Sequence, residues 1–475
     1  MKFTRENAVT IVAEDSNFPV SIFANERVKI EKSAMAELEE LTKIQDSLDS
    51  LYASSPEVFP ERPYIEEIAV TPDFHKGSGI PIGTTIKTQN CFYPQAVGKD
   101  IGCGMTLFAI NGISKETVLQ HLDELKKDFR HVFFQGGRQI PLKKCHREAI
   151  FQAGGEGLFS CPNDNEGIWE LANRFKDTIR LHSWRESGNG FSPIFSEYAG
   201  TDQYSYDSQI GSIGGGNHFV EVQYVKHFSN NRYSINKGSV MIMVHSGSLS
   251  LGAMASQYIE HELAKIYPKG QFKKPHLGMY PVSAKHTEAK TKIFQILDNA
   301  VNFASVNRIF MGLMVIQSLS KIQAINDINI ISDSPHNIVM ETGDGFIHRK
   351  GACRAQMREP IVIPGSMGAS SFLLEGTGNT KSLMSSCHGA GRALSRGASM
   401  KAFEKDFEQF LKDFHIVTPI DFASLRSDIK EKKLAELRQE APFAYKSVTP
   451  VIETITEASI ANVIAEFFPI VTIKA

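Results

Sequence analysis

A histidine stands directly before a Gly-Ala-Gly-Arg turn in the segment SCHGAGRALSR. Gly389 and Gly391 have no side chain, so their backbone N–H groups can approach an anion closely. Arg392 and Arg396 lie about one helical turn apart, and a guanidinium can donate paired hydrogen bonds to phosphate oxygens. The segment therefore predicts a phosphate site. The residues alone leave open whether His388 hydrogen-bonds this phosphate or attacks it.

A second set of candidate residues has side chains that bind divalent metal ions. Asp100 and Cys103 lie three positions apart in the glycine-flanked turn GKDIGCGM, a spacing that lets both reach one metal. His218 follows a run of glycines, and His245 and His336 each follow an apolar strand. Five such ligands suit two divalent ions that share Cys103, but they do not distinguish zinc, manganese and iron. The alternative is structural: a buried cysteine in a tight turn, and histidines satisfied within the core.

The segment GSIGGGNHFVEV, residues 211–222, has the glycine content of a loop that surrounds a phosphate. Asn217 and Glu221 share parity in an extended chain, so their side chains would face the same side. The carboxylate of Glu221 can accept hydrogen bonds from the N–H groups of a guanine edge. The alternative is a hairpin turn with a satisfied histidine.

Composition is that of an ordinary globular protein and narrows the classes of partner. The 475 residues are 42% hydrophobic and 22% charged, and a net charge of −2 means that nucleic-acid binding needs a local basic patch. The six cysteines form no C-x-x-C pair and the N-terminal segment is too polar for a signal peptide, so we expect reduced thiols in a cytoplasmic protein. We find no apolar run of membrane-spanning length and no Walker motif.

The elements that must position these residues alternate between helices and strands. Apolar residues at helical spacing predict helices over residues 33–48, 114–129 and 291–319, and residues 418–438 have the pattern of an exposed helix. Apolar runs predict strands over residues 105–110, 219–225, 240–244, 328–332 and 360–363. The candidate residues therefore stand at strand ends and in glycine-rich loops, where rigid elements can present polar groups.

Taken together and in this order, the motifs resemble those of the RtcB family, the GTP-dependent RNA-splicing ligases. The resemblance covers most of the chain and rests on PDFHKGSGIPIG (72–83), GKDIGCGM (98–105), GGGNHFVEV (214–222), VHSGS (244–248), PHN (335–337), HRKGA (348–352), PGSMGASSF (364–372), SCHGAGRALSR (386–396), APFAYK (441–446) and the terminal Ile-Lys-Ala. It implies a single compact α+β domain over residues 1–475.

By this resemblance, His388 is the nucleophile that takes GMP from GTP and forms a phosphoramidate. Two manganese ions are implied, and Cys103 is shared between them. The first ion adds His218 and His245 as ligands, and the second adds Asp100 and His336. The implied nucleotide contacts are Asn217, His218, Phe219, Val220, Glu221, His336, Asn337, Pro364, Gly365, Ser366, Met367, Ser371, His388, Gly389, Ala390, Gly391 and Lys474, with Tyr445 flanking the base.

The resemblance also implies an RNA substrate. The enzyme would open a 2′,3′-cyclic phosphate, move GMP from His388 to the 3′-phosphate and join that end to a 5′-hydroxyl, with Arg392 and Arg396 on the RNA phosphate. Archease is the activating partner that the resemblance suggests, no membrane partner is expected, and the sequence does not determine the oligomeric state. Leu249 and Ser250 stand where the family commonly has Arg-Gly, so one expected RNA-phosphate contact is missing.

Two basic segments are further candidates for RNA contact. The first contains Arg130, His131, Arg138, Lys143, Lys144 and Arg147, and the second contains Lys269, Lys273 and Lys274. Two other functions stay open on the sequence. A binuclear metal-dependent phosphoesterase would need the metal ligands but not His388 or Lys474, and a non-catalytic GTP- and RNA-binding protein would need no nucleophile.

Overall fold

Two mixed β-sheets position the candidate residues, and the chain passes from one sheet to the other at residues 335–337. The computed structural model describes residues 1–186, 189–230, 232–401, 407, 410–411, 414–419 and 427–475. Many of these residues lie in helices and many lie in strands, so the predicted α+β class is confirmed. The assignment of residues 1–475 to one domain stays a prediction.

The elements of the described residues are numbered in chain order. The strands are β1 Phe3–Arg5, β2 Thr10–Ala13, β3 Val20–Phe23, β4 Tyr64–Ser78, β5 Ile80–Gln89, β6 Cys91–Phe92, β7 Gly104–Ser114, β8 Pro141–Leu142, β9 Ser205–Tyr206, β10 Phe219–Phe228, β11 Ser239–Ser246, β12 Val282–Ser283, β13 Asp327–Pro335, β14 Asn337–Thr342, β15 Gly345–Lys350, β16 Ala352–Arg354, β17 Pro360–Ile363, β18 Ser371–Gly376, β19 Ser385–Cys387, β20 Ile416–Val417 and β21 Ala461–Ile473. The α-helices are α1 Lys32–Thr42, α2 Ile44–Ser54, α3 Lys115–Gln120, α4 Leu122–Phe134, α5 Lys144–Gly157, α6 Ile168–Arg174, α7 Lys176–His182, α8 Ser196–Ala199, α9 Leu249–Ile266, α10 Thr287–Ser320, α11 Arg396–Lys401, α12 Ser427–Arg438 and α13 Val448–Glu457.

The larger sheet has the order β13-β7-β11-β10-β21-β18-β17, with β20 parallel to β21. Its first four strands are antiparallel neighbours. Ser246 and Pro335 both stand opposite Gly104, and Phe219 stands opposite His245. The end of β13, the start of β7, the end of β11 and the start of β10 therefore meet at one edge of the sheet.

The second sheet has the order β1-β2-β3-β4-β5-β15-β14. Strand β4 changes register with β5 between Val70 and His75, and this irregular segment contains Asp73. A separate short pair, β16 and β19, sets Cys387 opposite Ala352. Because residue 388 follows β19 directly, this pair brings the end of the Ser-Cys-His segment to the second sheet.

Both faces of the larger sheet are buried. Successive side chains of β7 point to opposite sides, so Phe108 and Ile110 pack into a core that includes α10. Met105 and Leu107 pack into a second core on the other face. The strands read as nearly continuous apolar runs because neither face meets water.

Helix α10 has 34 residues, and 26 of them are buried. Among the described residues it is the one helix long and apolar enough to cross a membrane by length and composition, and its most apolar window lies entirely inside the protein. The prediction that no apolar run reaches membrane-spanning length is therefore wrong. The prediction of a buried helix in this region is confirmed.

The other predicted elements correspond to observed ones, with differences at their ends and two breaks within predicted helices. The helix predicted over residues 114–129 is two helices, α3 and α4, which meet at His121. All five predicted strands are present. The helix predicted over residues 33–48 is two helices that meet at Lys43, where the chain makes a tighter turn through a hydrogen bond from the Lys43 N–H to Glu40. Of the helix predicted over residues 418–438, the structure has Ser427–Arg438, and residues 420–426 lie outside the described residues.

The first basic segment is only partly available to a nucleic acid. Arg147 is 4% exposed and pairs with the buried Asp207 at 2.8 Å. Arg138 donates to the carbonyl of Ser208 at 3.0 Å. The predicted RNA contact is wrong for Arg147, because its guanidinium neutralises a buried carboxylate.

Candidate active site

The predicted metal ligands come together at one edge of the larger sheet. Cys103 immediately precedes β7, His218 immediately precedes β10, His245 lies at the end of β11, and His336 immediately follows β13. These strands are antiparallel neighbours, so the starts of β7 and β10 lie beside the ends of β11 and β13. Asp100 reaches the same edge from the turn before Cys103. Residues from positions 100 to 336 thus form one cluster.

The cluster is tight enough for direct ligation of a cation. The Sγ of Cys103 lies 3.2 Å from the Nε2 of His218 and 3.4 Å from the Nε2 of His245. Asp100 Oδ2 is 3.0 Å from His218 Nε2, and His336 Nε2 is 3.4 Å from His245 Nε2. One donor atom each from Cys103, His218 and His245 lie within 4.8 Å of one another.

The second ring nitrogens show which atoms are available to a metal. The Nδ1 of His218 is 3.0 Å from the carbonyl of Ile213, and the Nδ1 of His245 is 3.1 Å from the carbonyl of Asn217. A carbonyl oxygen only accepts, so each Nδ1 carries a proton, and a neutral ring then presents the lone pair of Nε2 to a metal. Unprotonated nitrogens converging on a cysteine sulfur fit a divalent cation, and backbone carbonyls orient the rings as they do in metal sites.

Burial sets the electrostatics of this cluster. It lowers the pKa of His245 and His336 well below the ordinary histidine value, so both imidazoles are neutral ligands. Burial and the neighbouring Asp100 raise the pKa of the Cys103 thiol well above its ordinary value. Burial also acts to raise the pKa of Asp100, but the contact with His218 outweighs it and the pKa is lowered. A bound cation would favour the thiolate form of Cys103.

Helix α10 supports this edge from within the core. Arg308 is fully buried and donates from Nη1 to the carbonyls of Gly102 at 2.8 Å and Ser246 at 3.1 Å. Its Nε donates to Asp333 Oδ1 at 2.9 Å. One guanidinium therefore fixes the turn before Cys103 and the end of β11. Arg308 is not among the residues predicted from the sequence, because a lone arginine within an apolar helix gives no local pattern.

The predicted nucleophile is held by a buried carboxylate. The Nδ1 of His388 lies 2.7 Å from Oδ2 of Asp73, in a contact whose angle lies outside ordinary hydrogen-bond geometry. The backbone N–H of His388 donates to the same oxygen at 3.2 Å, and the Thr71 hydroxyl donates to Oδ1 at 2.5 Å. Burial would raise the pKa of Asp73, but these contacts lower it below its ordinary value. Asp73 thus stays a carboxylate and leaves the Nε2 of His388 free.

The glycine-rich turn after His388 needs at least one of its glycines. Gly391 has φ +76°, and a Cβ at this position would lie 2.2 Å from the carbonyl oxygen of Asp73. Any side chain would therefore displace the strand that carries Asp73. The ring of His388 lies 4.5 Å from the ring of His336, so the predicted nucleophile and the candidate metal cluster are direct neighbours.

A cavity of about 760 Å³ opens onto both groups. Its wall includes these residues predicted to contact nucleotide: Asn217, Phe219, Glu221, Asn337, Pro364, Gly365, Ser366, Met367, His388, Gly389, Ala390, Gly391, Tyr445 and Lys474. Four predicted contacts are not in the wall. His218 and His336 belong to the metal cluster, Val220 is buried in the main core, and Ser371 lies behind the wall.

One end of the cavity has the groups expected to read a base. Glu221 is 5% exposed, and Lys474 is 4% exposed and donates to the carbonyls of Gly216 and His218. Burial raises the pKa of Glu221 to about 7, and hydrogen bonds from Thr472 and Gln223 act against that rise. The sequence analysis did not identify Thr472 or Gln223.

The predicted RNA-phosphate residues are placed differently. Arg392 donates to Glu440 at 3.3 Å and to the carbonyl of Gln439 at 2.7 Å, and its guanidinium lies 5.1 Å from the Tyr445 ring. Tyr445 in turn donates to Glu440. Arg392 is therefore held by neighbours within the protein. The side chain of Arg396 lies outside the described part of the chain.

Comparison with known proteins shows the family of this chain. A profile of the tRNA-splicing ligase RtcB family matches residues 59–475. The chain belongs to the RtcB family. It is similar to the tRNA-splicing ligase RtcB of Thermococcus kodakarensis, with 30% identity over 451 residues that cover 84% of this chain and 86% of the relative. The RNA-splicing ligase RtcB of Escherichia coli K12 is 28% identical over 432 residues, covering 87% and 91%. The tRNA-splicing ligase RtcB of Nanoarchaeum equitans is 28% identical over 507 residues, covering 96% and 95%.

The chain departs from the RtcB family pattern at the two residues after the VHSGS motif, and the motif that contains Asp73 holds a site residue that was not predicted. Leu249 takes the place of the arginine expected after the VHSGS motif and packs against Gly214, while Ser250 donates to Gln209 at 2.8 Å. No cation stands at either position. Asp73 lies within the PDFHKGSG motif, but the sequence analysis gave it no role. A carboxylate within an apolar strand is the signal, because a buried charge needs a partner.

Proposed function

We propose that this chain is an RNA ligase that uses GTP to join an RNA 2′,3′-cyclic phosphate or 3′-phosphate end to a 5′-hydroxyl end. Membership of the RtcB family supports RNA ligation, since the compared relatives are named tRNA-splicing or RNA-splicing ligases. One observation carries the mechanism: His388 stands in the wall of a large cavity with the buried Asp73 behind it and the candidate metal ligand His336 beside it.

The nucleophile is the Nε2 of His388. Asp73 faces Nδ1, so the proton stays on that side of the ring and Nε2 presents its lone pair. Nε2 attacks the α-phosphorus of GTP, a nitrogen–phosphorus bond forms, and the bond to pyrophosphate breaks. The ring becomes positively charged in this step, and the ionised Asp73 stabilises that charge. The product is GMP attached to His388.

The cluster of Asp100, Cys103, His218, His245 and His336 would hold the two manganese ions. Thiolate, imidazole and carboxylate donors fit a divalent cation. A cysteine ligand common to both ions would let the cluster hold two of them. Such ions supply charge neutralisation at the phosphate oxygens. The chain's own contribution is to fix the ring orientations and to keep the site dry through burial.

The later steps use the same histidine as a leaving group. Water opens the 2′,3′-cyclic phosphate to a 3′-phosphate. An oxygen of this phosphate attacks the phosphorus attached to His388, so the nitrogen–phosphorus bond breaks and GMP moves to the RNA end. The RNA 5′-hydroxyl then attacks the 3′-phosphate, GMP leaves, and a 3′–5′ bond forms.

Two exposed lysines in the cavity wall suit the RNA backbone. Lys76 and Lys99 line the cavity, are exposed, and have no hydrogen-bond or ion-pair partner among the residues that the structure describes. Unpaired ammonium groups attract phosphate. Because Leu249 provides no cation and Arg392 is held by Glu440, we assign these two lysines to the RNA strand.

The experiment that tests the proposal is incubation of the purified chain with GTP and manganese, followed by intact mass measurement. We expect the addition of one GMP, which depends on metal and does not occur with ATP. Subsequent RNA with a 3′-phosphate should discharge it. A binuclear phosphoesterase would hydrolyse phosphoesters without acquiring GMP, and a non-catalytic binding protein would bind GTP without any gain in mass.

A further inference from the structure

Glu221 is buried in the cavity wall, and both of its carboxylate oxygens have a hydrogen-bond donor from the protein. The Thr472 hydroxyl donates to Oε1 at 2.5 Å, and the Gln223 amide donates to Oε2 at 2.5 Å. Thr472 stands directly opposite Glu221 on β21, and Gln223 lies two residues along β10 on the same face. The carboxylate is therefore held from two strands.

The two donors are themselves anchored. The Gln223 amide nitrogen also lies 3.1 Å from Ser371 Oγ, which accepts the backbone N–H of Gly365 at 3.2 Å. The backbone N–H of Thr472 donates to the carbonyl of His415 at 2.9 Å. Ser371, predicted as a nucleotide contact, thus connects the 364–367 turn in the cavity wall to the Gln223 amide that donates to Glu221.

The surroundings make these donors important for the charge of Glu221. The residue opposite it on β11 is the apolar Met243, and the lysine at the end of β21, Lys474, donates to two backbone carbonyls. Burial raises the pKa of Glu221 to about 7, whereas the hydrogen bonds from Thr472 and Gln223 lower it. Near neutral pH, the two hydrogen bonds therefore decide how much of the carboxyl group is ionised.

We propose that Gln223 and Thr472 are positioning residues for base recognition, which keep Glu221 as an oriented carboxylate facing the base of GTP. This inference rests on the proposed GTP-dependent function. An ionised carboxylate accepts from both N1–H and the 2-amino group of guanine. A protonated carboxyl group loses one acceptor and would present a donor, which suits the N1 acceptor of adenine instead. The supporting pair thus contributes to the choice of GTP over ATP.

The test is the pH dependence of GTP and ATP binding by the full chain, measured at equilibrium between pH 6 and 8.5. Thr472→Val and Gln223→Met each remove one donor with little change in side-chain size, and Thr472→Ser keeps the hydroxyl. We expect wild-type GTP affinity to rise with pH through a midpoint near 7, because the carboxylate form binds guanine. Each donor-deleting variant should move this midpoint upward. GTP binding at pH 7 should weaken about fivefold for the first pKa unit of that shift and about tenfold for each further unit, and it should recover toward pH 8.5.

The outcomes separate this inference from the proposed function. If wild type prefers GTP and both donor-deleting variants keep its pH midpoint, or lose affinity equally at every pH, the inference is overturned. If wild type binds GTP and ATP equally, the proposed guanine site is wrong as well. Thr472→Ser should restore the wild-type midpoint, and Gln223→Met gives an independent reading if Thr472→Val does not fold.

Discussion

Two regions at one cavity are built in different ways: the candidate metal ligands with His388, and the exposed lysines Lys76 and Lys99. The first consists of buried side chains at strand ends, with rings fixed by backbone carbonyls and with Arg308 and Asp73 behind them. The second consists of exposed Lys76 and Lys99, and of Arg392 paired with Glu440. The proposed catalytic groups are thus arranged before substrate arrives, whereas the cations proposed or predicted to contact RNA are solvated or otherwise engaged.

This difference follows from what each region must recognise. Metal ions and a reacting phosphorus require fixed positions, and burial between packed strands supplies them. An RNA backbone is a repeating anion, and it can be bound by mobile cations with little geometric demand. Substitutions of the buried candidate metal ligands and His388 should therefore remove activity. Substitutions of the exposed lysines should only weaken substrate binding.

The largest effect is expected for His388→Ala. It removes the proposed nucleophile, so GMP attachment should fall to zero, while folding and metal content stay near wild type because the ring is not a predicted ligand. Intact mass measurement and metal analysis of the same preparation check this. Covalent GMP in the variant would place the nucleophile elsewhere.

Cys103→Ala should remove the shared metal ligand and release both ions. His336→Ala should release mainly one, because Cys103, His218 and His245 remain together. Elemental analysis of the two purified variants beside wild type measures the difference. Two ions retained in Cys103→Ala would contradict the bridging role.

Asp73→Asn should keep the ring of His388 in place but lose the negative charge beside Nδ1. We expect the single-turnover rate of GMP attachment to fall by on the order of 10²-fold or more, as for other groups that orient a catalytic imidazole. GTP affinity should change far less, since Asp73 is fully buried beneath the histidine. An unchanged rate would remove Asp73 from the mechanism.

Base selectivity should depend on Glu221 and Lys474. With two charged groups facing wrong partners, ATP should be disfavoured by on the order of 10²-fold relative to GTP. Glu221→Ala should reduce this preference, and removal of the last two residues, which include Lys474, should impair guanylylation. Competition of labelled GTP with unlabelled ATP gives the ratio, and equal labelling of wild type by both nucleotides would contradict the assignment.

The smallest effect is expected for the exposed lysines of the cavity wall. Lys99→Gln should raise the KM for RNA several-fold and reduce the salt dependence of RNA binding by about one ion, because one phosphate contact is lost. The matched control is Lys237→Gln, an exposed lysine in the β10–β11 connection at the opposite edge of the larger sheet. Equal effects of the two substitutions would show that Lys99 acts only through net charge.

Several features of the chain were predictable because they depend on local sequence. The five predicted strands and the buried helix are present, since runs of apolar residues specify them without long-range information. The metal ligands were recognisable because histidine and cysteine beside glycine-rich turns are uncommon in purely structural positions. The ends of helices were less predictable, as the break at Lys43 shows.

The supporting residues could not be found from the sequence. Arg308, Gln223 and Thr472 act on groups that come from other elements, and Arg308 binds carbonyls of two turns separated by more than a hundred residues in the chain. A lone arginine or threonine gives no local pattern. Arg147 and Arg392 show the converse, since each has the sequence of a phosphate contact but is held by an internal carboxylate.

The sequence by itself determined the types of element, the ligand and nucleophile side chains, and the family resemblance, because these depend on residue identity and short spacing. Only the tertiary structure decided which strand ends coincide, which histidine nitrogen is free, and which cations remain available for a substrate. The physical reason is that these properties depend on burial and on partners distant in the chain. Antiparallel pairing brings residues 103, 218, 245 and 336 to one edge, and a buried carboxylate at residue 73 lies beside Nδ1 of His388.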